Sequence, residues 1–156
     1  MKHMDRSAVS TAKVRPLCIG YGNPLRGDDA VGPALARAQG GIAVHQLLPE
    51  LAERIARERV VVFLDARADL APGAVEVMPL ETTGAATHSC SPRSLLRLAR
   101  EVYGSAPIAV LIGIGAASFE LGAPITPAAR RGMREAARRI AECGLKATAG
   151  TQVAAF

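Results

Sequence analysis

Tryptophan is absent from this 156-residue chain, and two Tyr and three Phe are its only aromatic residues. No ring interleaves with the arginines, which argues against a stacking platform for nucleic acid. The core has to be aliphatic, built from Ala, Val, Leu and Ile. Cysteine is scarce too. Cys18, Cys90 and Cys143 are odd in number, widely spaced and without a C-x-x-C pair. That argues against a disulfide framework and for a reducing compartment. No apolar run reaches transmembrane length. The opening stretch "MKHMDRSAVSTAKVR" lacks the apolar segment of a signal peptide. A cytoplasmic protein with no membrane partner is expected.

Apolar residues make up 49% and charged residues 21%, the balance of a soluble globular domain. The net charge of +5 is unevenly spread. Residues 1–15 hold Lys2, Arg6, Lys13 and Arg15 against Asp5, a net of +3, which leaves +2 for the rest. The late arginines 130, 131, 134, 138 and 139, with Glu135 and Glu142 between them, read as a solvated helix face. One domain over 16–144 is expected, between tails at 1–15 and 145–156.

Strand and helix patterns alternate. "LCIGYG" (17–22), "IAVHQL" (42–47), "VVVFLDA" (60–66) and "PIAVLIGIG" (107–115) read as strands, and "APGAVEVMPL" (71–80) as a turn followed by an alternating strand. Helices are predicted over 29–39, 49–58, 91–104 and 126–144. The last two open on Ser-Pro and Thr-Pro and stop at glycine. This alternation predicts an α/β fold with a mostly parallel sheet covered on both faces. Sites in such sheets lie beyond the carboxyl ends of the strands, where the strand order switches.

Three ionisable residues fall at those ends. Asp29 follows the first strand's glycine turn, Asp65 closes the third strand, and His88 lies in the polar loop before the next helix. Singly, each has a plainer reading: a first-turn acid, a turn cap, a surface histidine. Asp28 reads as the better helix cap of the acidic pair. Together, two carboxylates and an imidazole suit a divalent metal such as nickel or zinc. The turn itself, "GYGNPLRGDDAVG", spaces its glycines as G-x-G-x-x-x-x-G. That is neither the dinucleotide fingerprint nor a P-loop, and Asp28 and Asp29 would repel a pyrophosphate. A nucleotide-binding enzyme therefore ranks last among the readings.

"GYGNPLRGDDAVG" resembles the N-terminal signature of the hydrogenase maturation peptidases, roughly G-x-G-N-x-L-x-x-D-[DE]-x-x-G. "FLDA" stands where that family has its second acid, and "GIGAASFELGAPIT" resembles its late strand and following loop. The resemblance covers about residues 16–142. It implies an α/β/α sandwich around a mostly parallel, five-stranded sheet. It also implies an aspartic-type endopeptidase that trims the C-terminal extension of a nickel–iron hydrogenase large-subunit precursor after nickel insertion. The nickel would be carried by the substrate, with no metal held tightly by the resting protein, which is expected to be a monomer.

By position, the resemblance implies Asp29 and Asp65 as catalytic and metal-contacting residues. Gly22, Asn23, Gly27, Asp28 and Arg93 are then expected to bind substrate. Many members place a histidine just after a Ser-Pro pair. Arg93 stands there, and arginine is no metal ligand. His88 fits an H-x-x-S-P variant and is the expected third ligand, with Cys90 as the weaker alternative. The Arg93 position and the "VHQLLPELA" loop, where relatives carry glycines, leave a second reading open. It is a nonproteolytic nickel sensor or assembly chaperone that binds the precursor without cutting it.

Overall fold

The computed structural model describes residues 12–82 and 89–150. Its centre is a five-stranded sheet in the order β2-β1-β3-β5-β4. The strands are β1 (Leu17–Tyr21), β2 (Ile42–Val44), β3 (Val60–Arg67), β4 (Val75–Leu80) and β5 (Ile108–Gly115). β2, β1, β3 and β5 run parallel, and β4 returns antiparallel beside β5. β1, β3 and β5, flanked by paired strands on both sides, carry the continuous apolar runs. β4 alternates and lies at the edge, where Pro79 can be tolerated without its N–H.

The helices are α1 (Val31–Ala38), α2 (Leu51–Ala56), α3 (Pro92–Tyr103) and α4 (Pro127–Thr148). Strand residues alternate between two cores, as pleating requires. Cys18, Val60, Val62, Leu64, Val110, Ile112 and Ile114 meet α1 and α4 through Leu35, Ala36, Ala136 and Ile140. Leu17, Ile19, Val61, Phe63 and Ala109 meet α2 and α3 through Ile55, Leu95, Leu96 and Ala99. The result is the expected three-layer α/β/α sandwich. All three cysteines are free. No helix among the described residues is long and apolar enough to cross a membrane.

Local signals explain most of the boundaries. Ser91 caps α3, accepting from the Ser94 amide while Ser94 Oγ accepts from the Ser91 amide, and Gly104 closes the helix at φ 77°. Thr126 caps α4. Beyond shifts of a residue or two at other element ends, three boundaries differ from the sequence reading. The helix predicted from residue 29 begins as a 3-10 turn, Gly27–Ala30, because Pro33 has no N–H to offer the Asp29 carbonyl. The second strand stops at Val44.

The third difference is at the C-terminal end, where α4 runs through Gly144 to Thr148. Gly144 is not a stop but a crossing point. A Cβ there would lie 2.8 Å from the Val14 carbonyl oxygen. The segment before β1 packs across it, with Val14 buried and its amide donating to Thr148 Oγ1.

One side chain ties the two ends of the site-bearing edge together. Asp28 is fully buried. Its carboxylate accepts from the amides of Ala117 (2.8 Å), Ser118 (3.3 Å) and Thr126 (2.7 Å), and from the Thr126 hydroxyl (2.8 Å). It is thus not a helix cap, and it joins the β1 turn to the β5–α4 loop. Burial alone would raise its pKa, but these hydrogen bonds outweigh burial and hold it below the usual carboxylate value.

Asp28→Ala strands several buried donors and is expected to cost on the order of 3 kcal/mol at pH 7. Because the folded carboxyl titrates below its unfolded value of 3.8, its contribution is complete above about pH 4 and fades as acid protonates it. Urea melts of both proteins at pH 7 and pH 3 check this; the gap between them should narrow in acid.

Candidate active site

The chain enters the sheet at β1, moves outward to β2, then crosses back to β3 on the other side of β1. The order therefore switches between β1 and β3, and the crevice beyond their carboxyl ends is the expected place for a site. Asp29 and Asp65 both stand there.

Asp29 is folded back over the end of β1. Its carboxylate accepts the Asn23 amide at 2.6 Å. Asn23 in turn accepts the Leu25 amide through Oδ1, at 2.9 Å. This fold-back depends on Gly22. A Cβ at that position would lie 2.2 Å from the Asp29 carbonyl and 2.9 Å from its Oδ1, and the backbone has φ 146°. The Gly22 amide is anchored on the carbonyls of Val44 and His45 at the end of β2. The glycine turn thus cradles an aspartate of its own chain, in the place where a nucleotide-binding turn would hold a phosphate.

Asp65 occupies the neighbouring strand. Gly20 pairs with Leu64, so Tyr21 and Asp65 are the next residues in register and point to the same side, toward α2 and α3. The Tyr21 hydroxyl donates to the Asp65 carboxylate. Burial pushes Asp65 up to about 6, and the Asp29 charge adds to this against the pull of Tyr21 and Arg67. Burial, then the Asp65 charge, raise the Tyr21 phenol well above its usual value, so it stays a donor. Arg67, two residues on, pairs with Asp69 at 2.6 Å and Glu76 at 3.7 Å.

Tyr21 was invisible as a site residue in the motif, where it fills a variable position. The available signal was positional: it ends β1 one register step beside the strand-end acid. Of the other expected residues, Gly22 and Asn23 line the turn. Gly27 and Asp28 are buried against the Ser118 loop, so Asp28 presents no surface to a substrate. Arg93 is exposed in the first turn of α3, whose N-terminus lies at the same edge as the acids. Cys90 is exposed, and burial followed by the Glu50 charge raises its thiol against a hydrogen bond from Ser94.

Among the described residues, no group of three His, Cys, Asp or Glu is placed to hold a metal ion. Asp29 and Asp65 supply two donors, fewer than a protein metal centre ordinarily has. His88 lies outside the described residues. The cleft of about 580 Å³ lined by Leu80, Thr82, Arg100 and Pro107 opens at the opposite, amino-terminal edge of the sheet, away from the acids. It contains none of the strand-end chemistry.

No family model matches the chain. No curated protein matches it. Solved structures do. The NiFe hydrogenase maturation protease HycI from Thermococcus kodakarensis KOD1 is 29% identical, with a TM-score of 0.65, covering 84% of this chain and 92% of that one. The hydrogenase maturating endopeptidase HybD from E. coli is 21% identical, with a TM-score of 0.65, covering 88% and 94%. The NiFe hydrogenase maturation protease HybD from Thermococcus kodakarensis is 24% identical, with a TM-score of 0.59, covering 86% and 99%. The last two likenesses speak for the fold alone, and the first carries the highest identity of the three. The chain is similar in fold, over more than four-fifths of its length, to solved hydrogenase maturation proteases.

Proposed function

We propose that the chain is an endopeptidase that removes the C-terminal extension of a nickel–iron hydrogenase large-subunit precursor once nickel has been inserted. The observation that carries this reading is the pair of carboxylates converging at the β1/β3 switch, each held by a separate donor: Asp29 by the Asn23 amide and Asp65 by the Tyr21 hydroxyl. Both carboxylates are partly exposed among the described residues.

In this reading the nickel belongs to the substrate. Asp29 and Asp65, with His88 from the loop before α3, contact it, so a precursor without nickel is not engaged. Hydrogen bonds occupy part of each carboxylate and leave the remaining lone pairs for the metal or for a water. Docking places the scissile carbonyl beside the acids, where a carboxylate takes a proton from the attacking water. Tyr21 keeps Asp65 in one orientation. Arg93, at the α3 N-terminus, contacts the substrate chain.

The direct test is intact mass of nickel-loaded precursor after incubation. Wild type should release a short C-terminal peptide, and Asp29→Asn should be slower by at least about 100-fold. His88→Ala should lose cleavage as well. Tight binding of the precursor by wild type with no cleavage at all would move the assignment to a nickel-sensing chaperone.

A second outcome follows from the cost of holding Asp65 ionised. The fold favours its protonated form, so the charge is a burden at neutral pH and none well below 6. Asp65→Asn can still accept from Tyr21. It should therefore stabilise the metal-free protein by roughly 1–3 kcal/mol at pH 7.5, while cleavage is lost. Melting curves taken from pH 7.5 down to pH 4.5 should show that gain shrinking as pH falls through 6.

A further inference from the structure

The edge that carries the acids also carries an apolar rim that cleavage chemistry does not use. Leu25 is 65% exposed, Phe119 36% and Leu121 70%. They come from two loops far apart in sequence, yet the backbone joins them. The Gly122 amide donates to the Leu25 carbonyl at 2.7 Å, and Arg26 Nε donates to the Phe119 carbonyl at 3.3 Å. Beneath them the Asp28 amide donates to the Ser118 carbonyl at 2.9 Å. The buried Asp28 carboxylate closes the same junction from the other side. The two loops that carry the rim are therefore tied to each other through their backbones.

We propose that the Leu25–Phe119–Leu121 rim is the docking surface for an apolar stretch of the substrate polypeptide flanking the cleaved bond. The inference rests on the peptidase reading and adds the substrate chemistry that the site selects. Continuity with the acids identifies the occupant. Only two hydrogen bonds separate the rim from the site, Leu25 amide to Asn23 Oδ1 and Asn23 amide to Asp29 Oδ2. A chain whose peptide bond reaches Asp29 from this side passes over Leu25 first.

The rim's backbone also indicates the mode of recognition. The amides of Leu25, Arg26, Glu120, Gly122 and Ala123 already donate within the two loops, so side chains and not an added strand make the contact. Exposed leucines on a fixed frame favour aliphatic or aromatic partners over charged ones. Binding such a segment uses interactions away from the reacting atoms to orient the bond.

The test compares steady-state processing of nickel-loaded precursor by wild type, Leu121→Ser, the double variant Leu25→Ser/Leu121→Ser, and Val102→Ser. Val102 is 61% exposed on α3 near the opposite edge and controls for loss of any surface apolar group. All these side chains face solvent, and a thermal melt confirms folding. The double variant should raise KM about 10-fold or more with kcat within about two-fold of wild type, and Val102→Ser should match wild type.

In parallel, precursor binding is measured on Asp29→Asn with and without the rim changes. Kd should weaken by the same factor. An unchanged KM and Kd, or a loss confined to kcat, overturns the proposal. So does a concentration-dependent dimer of wild type that the double variant abolishes, because a second copy would then be the occupant. If wild type binds but never cuts, the peptidase reading fails while the Kd comparison still decides the rim. If wild type does neither, both fail together.

Discussion

The site depends on a carboxylate that is wholly buried. Asp28 sits at zero exposure between the β1 turn and the start of α4, taking four hydrogen bonds from the β5–α4 loop. A buried charge is tolerable only when its lone pairs are filled, and here they are. Filling them fixes the separation of two loops that are some ninety residues apart in sequence. Asp29, the next residue, inherits that position. The acidic pair in the motif therefore divides its labour: the first aspartate builds the turn and the second faces the crevice.

The second constraint is electrostatic. Asp29 and Asp65 are close enough to feel each other, and Asp65 is half-buried, so its charged form is disfavoured. A site that gathers two carboxylates without a built-in cation holds a standing demand for positive charge. Tyr21 and Arg67 meet part of it. Under the proposed function, a metal arriving with the substrate would meet the rest, and loaded precursor would be engaged in preference to empty precursor.

Much of the architecture was legible in the chain. Aliphatic runs separated by capped helices specify parallel strands and their covering layers, and the position of both acids at strand ends follows from that pattern alone. Three features were not legible. Gly144 looks like a helix stop, because the signal for a stop and the signal for a close backbone crossing are both a missing side chain. Asp28 looks like a cap, because its partners lie in a loop that no local pattern connects to it. Tyr21 looks like filler, because its role comes from strand register and not from the motif. His88, the expected third ligand, lies outside the described residues, so its part in the site rests on its place in the sequence and on the resemblance.

The central claim is that Asp29 and Asp65 form one centre. A double-mutant cycle on the processing rate measures this directly, using Asp29→Asn, Asp65→Asn and the two combined on nickel-loaded precursor. Residues that act as a unit lose function non-additively. The account predicts that the double variant is no slower than the worse single. Losses that multiply, or a single variant that cuts at the wild-type rate, would contradict it.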